Sequence, residues 1–213
     1  MGAPQGWRTV GVAPERLAGW LDGFSLRHGA PAVENAGDAV VLRSPDGARA
    51  RIRTPWPTAE SPDPLAALVE SATRPRVVGV LIARREAHAV GVFAGTTLQD
   101  GRHGSHYVQG RTKAGGWSQQ RYARRRANQS TRSFDAAADD AVAVLLPAAD
   151  RLEALATGGD RSAVHAVLGH PALGALTGLP RLGVFSVPNP NAGVLASFAE
   201  VFRRVPIDLN ELA

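Results

Sequence analysis

Two apolar runs lie almost back to back near the middle of the chain, and they constrain the fold more than any other feature. Residues 76–85 read RVVGVLIARR and residues 87–95 read AHAVGVFAG, and both runs are rich in β-branched side chains. Runs of this kind are typical of strands, and the short connection between them favours an antiparallel hairpin. The chain is therefore predicted to contain a sheet that is buried on at least one face.

The remainder of this half alternates helical and strand patterns. A helical pattern runs from near Ser118 to about Leu146 with a break near residues 130–134, and its second half is apolar enough to cover a sheet. Strands are predicted in residues 151–159 and 181–190, and helices in residues 161–176 and 192–205. This alternation predicts an α/β or α+β fold in which helices flank a mixed β-sheet.

The first sixty residues have their own pattern. Residues 14–28 place apolar side chains at helical spacing, and residues 39–53 read as two strands around a Ser-Pro-Asp-Gly turn. The proline-rich residues 54–64 continue neither element, so we interpret them as a linker. We therefore predict a small N-terminal α+β extension at residues 1–60 and a second domain at residues 61–213.

Composition excludes several classes of function. The chain has no cysteine, which rules out disulfides, thiolate zinc sites and a cysteine nucleophile. No apolar run approaches the length of a membrane span, and the first ten residues lack the apolar region of a secretory signal. We expect a monomeric cytoplasmic protein that does not bind membranes and needs no cofactor.

Positive charge is concentrated in one segment. Residues 101–134 contain eight basic residues and no Asp or Glu, whereas the whole chain has a formal net charge of +5. The remaining residues are therefore mildly acidic, with a formal charge of −3. Such a concentrated patch suits a polyanion such as nucleic acid.

Within this segment, residues 113–130 read KAGGWSQQRYARRRANQS. Gly115 and Gly116 give a backbone that can enter a narrow space and bring amide groups close to a ligand. Ser118 is a suitable helix N-cap, so Gln119 and Gln120 are predicted to lie in the first helical turn. This arrangement puts the positive end of a helix dipole beside the two glycines.

The helix that follows is crowded with arginine. Arg121, Arg124 and Arg125 fall on one predicted face, and Tyr122 and Arg126 share the neighbouring face. Like charges at this spacing destabilise a helix, so its own side-chain pattern does not explain it. We interpret it as a surface that meets phosphates, on which Tyr122 and the nearby Trp117 can stack on bases.

Other polar groups have simpler interpretations. His103 and His106 resemble a pair of metal ligands, but no third ligand is near them in the sequence, and a loop is favoured. Asp135, Asp139 and Asp140 could serve a metal-dependent nuclease, but a solvated acidic helix face is favoured. No metal site is therefore predicted.

Two further features are interpreted as structural. Residues 156–162, ATGGDRS, lack the spacing of a phosphate loop, so a strand-to-helix turn capped by Asp160 or Ser162 is favoured. His165 and His170 flank an apolar helical run, and we expect them to pack or to cap rather than to bind a ligand.

The central stretch also resembles a known family. It is similar to the catalytic central domain of eukaryotic and archaeal class-one release factors, whose motif is Gly-Gly-Gln, then Ser, then an Arg-Phe-Ala-Arg-x-Arg helix. Gly115, Gly116 and Ser118 match that motif, and Arg121 to Arg126 match the helix, whereas Trp117 stands where those factors have glutamine. A closer resemblance is to the actinobacterial branch of the VLRF group, the release-factor-like peptidyl-tRNA hydrolases of ribosome quality control, over most of the chain.

The resemblance implies a fold and a reaction. The fold would be that of the release-factor central domain, which is distantly related to ribonuclease H. The reaction would be hydrolysis of the ester between a nascent peptide and tRNA, in the peptidyl-transferase centre of the large ribosomal subunit, with peptidyl-tRNA as substrate. The expected catalytic residues are Gln119, or else Gln120, with Gly115 and Gly116. The expected RNA-binding residues are Arg111, Lys113, Trp117, Arg121, Tyr122, Arg124, Arg125 and Arg126.

Two alternatives remain at this point. One is a non-catalytic ribosome-binding or RNA-binding factor that keeps the basic helix. The other is a metal-dependent nuclease on a ribonuclease-H-like scaffold, which is disfavoured because residues 76–95 offer only Glu86 as an acid.

Overall fold

The structure is a computed structural model that describes residues 6–37, 39–56, 61–105 and 118–213, with residues 118–131 described as helical backbone only. Its strands are β1 (Arg8–Val12), β2 (Ala32–Asn35), β3 (Ala39–Arg43), β4 (Arg49–Arg53), β5 (Val77–Ala83), β6 (Ala87–Ala94), β7 (Thr97–Ser105), β8 (Ala154–Gly159), β9 (Arg181–Phe185) and β10 (Val205–Leu209). Its α-helices are α1 (Leu17–His28), α2 (Pro64–Thr73), α3 (Ser118–Leu145), α4 (Arg161–Leu168), α5 (Ala192–Ala196) and α6 (Ala199–Phe202), and short 3₁₀ helices occupy Pro14–Arg16, Leu146–Arg151 and Pro171–Leu176.

These elements form two compact units. The first comprises Met1–Arg74 together with Arg203–Ala213, and the second comprises Pro75–Phe202. This division differs from the predicted boundary after residue 60, because both α2 and the last eleven residues belong to the first unit. The second unit is thus inserted, along the chain, between two parts of the first.

The first unit is built on an antiparallel sheet in the strand order β1, β10, β4, β3, β2. Leu17 and Phe24 of α1 and Leu68 of α2 are fully buried in one apolar cluster with side chains of β3, β4 and β10. The predicted helix at residues 14–28 and the predicted hairpin at residues 39–53 are confirmed. In the hairpin turn, Gly47 has a φ of 90°, a conformation that glycine adopts without steric cost.

A buried ion pair fixes β10 inside this sheet. Asp208 is fully buried, and its Oδ1 accepts hydrogen bonds from Oγ1 of Thr9 on β1 at 2.6 Å and from Nη2 of Arg53 on β4 at 3.0 Å. One carboxylate thereby links three neighbouring strands. Because a buried carboxylate costs several kcal/mol unless it is paired, the position of β10 depends on these two partners.

The second unit is built on a mixed sheet in the strand order β7, β6, β5, β8, β9. Strands β5, β6 and β7 pair antiparallel, whereas β5, β8 and β9 pair parallel. The predicted hairpin is confirmed as β5 and β6, and the strands predicted later in the chain are confirmed as β8 and β9. The predicted mixed sheet is therefore present.

Both faces of this sheet are covered. Val90 and Val92 of β6 pack against Ala141 and Leu145 of α3 in an apolar cluster that also includes α4. Phe93 belongs to an aromatic cluster in which its ring lies 5.6 Å from Phe202, on α6. The prediction of an α+β fold with flanking helices is confirmed.

Several elements differ from the sequence predictions. The segment interpreted as a linker leads into α2, where Oδ1 of Asp63 accepts hydrogen bonds from the backbone N–H groups of Leu65 and Ala66 and Pro64 takes the first helical position. The predicted closing helix at residues 192–205 is instead α5 and α6, and β10 follows. Strands β1, β2 and β7 are additional, and α3 has no break.

The ion pair of Asp208 makes a prediction about stability. Asp208→Ala should lower the free energy of unfolding by about 3–5 kcal/mol, because it leaves the half-buried Arg53 guanidinium without this carboxylate. The matched control is Glu34→Ala, which removes an exposed ion pair with Arg43 from the same sheet and should cost less than about 1 kcal/mol. Urea unfolding measures both, and equal losses would contradict the account of β10.

Candidate functional site

The helix that carries the predicted catalytic glutamines begins where the sequence indicates. α3 starts at Ser118, so Gln119 and Gln120 lie in its first turn. The continuous helical backbone also places positions 121, 124 and 125 on one face, as predicted. The first turn of a helix leaves backbone N–H groups without intrahelical partners, and its dipole favours negative charge nearby.

Part of the predicted site lies outside the described residues. This holds for Arg111, Lys113, Gly115, Gly116 and Trp117, and for His106. It also holds for the side chains of Gln119, Gln120, Arg121, Tyr122, Arg124, Arg125 and Arg126, of which only the helical backbone is described. The structure does describe the two flanking elements, since β7 ends at Ser105 and α3 begins at Ser118.

The second half of α3 packs on the sheet of the second unit. Ala137, Ala138 and Ala141 are buried there, and Val144 and Leu145 join the same apolar cluster. Alanine at three positions of one stripe allows the helix backbone to approach the strands closely. The chain therefore uses the apolar second half of α3 as its attachment, in agreement with the sequence prediction.

A polar link reinforces this attachment. His88 of β6 is only 2% exposed, and its Nε2 lies 2.8 Å from Oδ2 of Asp140 on α3. An ionised carboxylate only accepts hydrogen bonds, so Nε2 of His88 carries the proton and donates it. Arg102 of β7 donates from Nη1 to the other oxygen of Asp140 at 3.3 Å. We call these three side chains the anchor.

Glycine makes room for the anchor. Gly104 of β7 lies opposite His88 in the strand pairing, and a Cβ at position 104 would approach Cε1 of His88 to 2.6 Å. A side chain there would displace the imidazole, because contacts this short do not occur between packed carbon atoms. Gly104 therefore leaves the space that the imidazole of His88 occupies.

The anchor holds Asp140 ionised. Burial alone would raise the pKa of Asp140, but the hydrogen bonds from His88 and Arg102 and the positive charge of Arg102 outweigh burial, so the pKa lies below its ordinary value. The imidazole is too deeply buried to meet a substrate. We therefore assign the anchor a positioning role: it ties α3 to β6 and to β7, and α3 and β7 are the elements that flank residues 106–117.

This arrangement corrects one sequence prediction. Asp135 and Asp139 are exposed, as expected of a solvated acidic face, but Asp140 faces the sheet and its side chain is only 25% exposed. The interpretation of Asp140 as solvated was wrong, because the prediction treated the acids of the helix as one group. A histidine inside an apolar strand, opposite a helix that carries an acid, was the signal that pointed to the pair.

The structure also describes three other polar residues interpreted from the sequence, namely His103, His170 and Asp160. His103 is exposed on β7 rather than in a loop, and no three His, Asp or Glu side chains among the described residues lie close enough to hold a metal ion. His170 caps a 3₁₀ helix as predicted, since its Nδ1 accepts a hydrogen bond from the backbone N–H of Ala172. Asp160 occupies the N-cap position of α4, but its side chain makes no capping hydrogen bond.

Within the part of the chain that the structure describes, no helix combines the length and the apolar character needed to cross a bilayer.

The anchor predicts a pH-dependent stability. Asp140→Asn should lower the free energy of unfolding by about 1–3 kcal/mol at pH 7, because it weakens the acceptor of a buried imidazole. The folded-state pKa of Asp140 is depressed, so its stabilisation is present above the unfolded pKa of about 4 and is lost as pH falls through the folded pKa. The difference between wild type and variant should therefore shrink below about pH 4.

Asp139→Asn is the matched control, because Asp139 is the exposed neighbour of Asp140 on the same helix. Urea unfolding at a series of pH values should show little difference between this control and wild type. A loss of stability that is the same for both variants would contradict the anchor.

Comparisons with known proteins identify the second unit. A family model described as the Actinobacteria/chloroflexi VLRF1 release factor matches residues 76–208. No curated protein matches the chain. The matched range begins just before β5 and includes the whole mixed sheet and α3.

Solved structures give weaker likenesses. An archaeal translation termination factor, aRF1, has a TM-score of 0.43 and 14% identity, over 94% of this chain and 67% of that one. A structure described as an archaeal protein has a TM-score of 0.41 and 12% identity, over 94% and 69%. The Vms1 mitochondrial localization core has a TM-score of 0.40 and 10% identity, over 89% and 78%.

The identification rests on the family model, which covers well over half of the 213 residues. It confirms the resemblance that the Gly-Gly, Ser118 and arginine pattern suggested. The chain belongs to the actinobacterial and chloroflexi VLRF1 release factor family.

Proposed function

We propose that the protein hydrolyses peptidyl-tRNA at the peptidyl-transferase centre of the large ribosomal subunit, and so releases nascent chains in ribosome rescue. The observation that carries this proposal is the family match, in which the matched range contains a Gly-Gly pair followed by a helix with glutamines in its first turn. A release factor of this kind works on ribosomes, which implies a cytoplasmic protein.

The reaction is an ester hydrolysis. Water attacks the carbonyl carbon that joins the peptide to the terminal ribose of tRNA, a tetrahedral oxyanion forms, and the ribose oxygen leaves with a proton. The protein needs to supply access, a positioned water and hydrogen-bond donors for the oxyanion. A glutamine amide suits this role, because it donates and accepts hydrogen bonds and stays neutral at every relevant pH.

We assign the amide role to Gln119, with Gln120 as the second choice. Their place in the first turn of α3 sets them beside the helix N-terminus, where backbone N–H groups and the helix dipole favour a developing negative charge. Gly115 and Gly116 would give the preceding segment the small cross-section that a narrow RNA-lined site requires. Arg111, Lys113, Arg121, Arg124, Arg125 and Arg126 would hold phosphates, and Trp117 and Tyr122 would stack on bases.

The anchor supports this assignment. It ties the second half of α3 to β6 and β7, and α3 and β7 are the elements on either side of residues 106–117. A segment whose flanks are held loses less conformational entropy when it takes up a reactive geometry. The proposed catalytic end of α3 would therefore enter its site as part of a preformed unit.

One sequence feature supports a second candidate function. Trp117 stands where class-one release factors have their glutamine. This departure favours a factor that binds ribosomes without hydrolysing the ester. The release assay below separates the two functions, because a binding factor leaves the ester intact.

The first test is peptide release from isolated large subunits that carry peptidyl-tRNA. Gln119→Ala should lower the single-turnover rate by about 10²- to 10³-fold, the loss typical of one oxyanion donor, while binding to the subunit persists. Gln129→Ala is the matched control on the same helix and should leave the rate unchanged. Full release by a variant that lacks both Gln119 and Gln120 would contradict the assignment.

The second test concerns phosphate contacts. Arg124→Ala with Arg125→Ala should weaken subunit binding and lower the slope of log K against log salt by about 1.4 to 1.8, since each lost phosphate contact removes about 0.7 to 0.9. Arg85→Ala with Arg151→Ala removes two exposed arginines of the same unit and should leave the slope unchanged. An equal change in both pairs would mean that only net charge is read.

A further inference from the structure

A groove in the first unit has no role in the proposed reaction. It has a volume of about 920 Å³ and lies between α1 and the outermost strand, β1. Residues 10–12 of β1 form one side, and residues 19–23 of α1 form the other. Gly19 and Gly23 have no side chains, so neither position of α1 projects atoms into the groove.

The groove is lined with positive charge. Four arginines line it, namely Arg8, Arg16, Arg27 and Arg204. Its one acidic residue, Glu15, forms an ion pair with Arg203. The first unit as a whole has ten arginines and ten acidic residues, so the groove concentrates positive charge on a unit with no net formal charge.

Two of these arginines are available to a ligand. Arg16 and Arg27 are exposed, and within the described residues neither side chain forms an ion pair or a hydrogen bond. They lie eleven positions apart, on the same side of the α1 segment as Trp20. Two guanidinium groups spaced along one side of a groove suit the phosphates of an extended polyanion.

An aromatic ring lies between the two cations along the helix. Trp20 is half-buried and lines the groove, and its ring stacks on Phe24 with centroids 5.4 Å apart and an angle of 22° between planes. Phe24 is almost fully buried, so the stack holds the indole in one orientation. A fixed aromatic ring between phosphate-binding groups is the arrangement by which proteins bind single-stranded nucleic acid.

The same groove is less suited to an acidic peptide that adds a strand to β1. Nη1 of Arg204 lies 3.2 Å from the carbonyl oxygen of Gly11 and donates to it. The Cδ of Arg204 would lie 3.2 Å from a Cβ at position 11. Strand addition uses main-chain groups along the edge, and the guanidinium of Arg204 already occupies the carbonyl oxygen of Gly11 on β1.

We propose that this groove binds single-stranded RNA, with phosphates at Arg16 and Arg27 and a base stacked on Trp20. The proposal is independent of the reaction assigned to the second unit. It gives the first unit, most of which lies outside the range matched by the family model, an RNA contact of its own.

The test is binding of a fluorescent twelve-nucleotide single-stranded RNA to the whole chain, followed by anisotropy at several salt concentrations. Arg121, Arg124, Arg125 and Arg126 are first changed to Gln, so that the basic helix contributes little. In this background, Arg16→Gln with Arg27→Gln should weaken binding and lower the salt slope by about 1.4, because two phosphate contacts on a single strand are lost. Arg43→Gln with Arg49→Gln removes the same charge from exposed positions outside the groove and should leave the slope unchanged.

Trp20 gives a second, independent readout. Trp20→Leu should weaken RNA binding by about tenfold or more, and Trp20→Phe should retain most of the affinity because it keeps an aromatic face. Circular dichroism confirms that each variant is folded.

Three results would overturn the proposal. The first is equal salt slopes for the groove variant and its control. The second is equal affinities for Trp20→Leu and Trp20→Phe. The third is tight binding of a twelve-residue polyglutamate peptide that the groove variant abolishes while RNA binding is unaffected, which would identify an acidic peptide as the ligand.

Discussion

The hydrogen bond between His88 and Asp140 is the interaction on which the position of α3 against the sheet of the second unit depends. Asp140 lies in the second half of α3, where small side chains already bring the helix close to the sheet. A buried imidazole with its acceptor fixes the position of the helix along the strand as well as its distance from the sheet, which apolar contacts alone specify less strictly. Gly104 and Arg102 complete the arrangement from β7.

This constraint explains how one helix combines two opposed compositions. Like charges in the first half of α3 destabilise an isolated helix, whereas the second half is buried and anchored. The buried second half of α3 therefore provides a helical nucleus. Extending the helix into its charged first half avoids the free-energy cost of a new nucleation. The proposed reaction uses this division, because cations that cost folding energy in the free protein are neutralised when they meet RNA phosphates.

The first unit also depends on a buried carboxylate, which holds a strand in its sheet. Its sheet takes a strand from the far end of the chain, and the buried carboxylate of Asp208 pairs with groups on both neighbouring strands. Bringing β10 back to this sheet closes a long loop, which costs conformational entropy. The buried pair of Asp208 specifies that β10 lies between β1 and β4. The edge strand left by this arrangement, β1, forms one wall of the arginine-lined groove.

Local patterns predicted much of the fold. The β5–β6 hairpin, the start of α3 and the covering of the sheet followed from runs of apolar residues, whose period reflects burial directly. Predictions were wrong or incomplete where polar residues are made structural by distant partners. β7 was not predicted, because it is polar and contains Gly104, whose missing side chain leaves room for His88. Asp140 was predicted to be solvent-exposed, because its partners lie 38 and 52 residues away along the chain. β10 was not predicted, because its pairing with β1 and β4 is not visible in local sequence.

The most direct test of this account is the rate at which the protein releases a peptide from isolated large subunits that carry peptidyl-tRNA, compared between Asp140→Asn and Asp139→Asn. We expect release by the wild type, a slower single-turnover rate for Asp140→Asn with subunit binding retained, and a wild-type rate for Asp139→Asn. Equal rates for the two variants would contradict the positioning role of the anchor. Intact peptidyl-tRNA after incubation with the wild-type protein would contradict the proposed reaction itself.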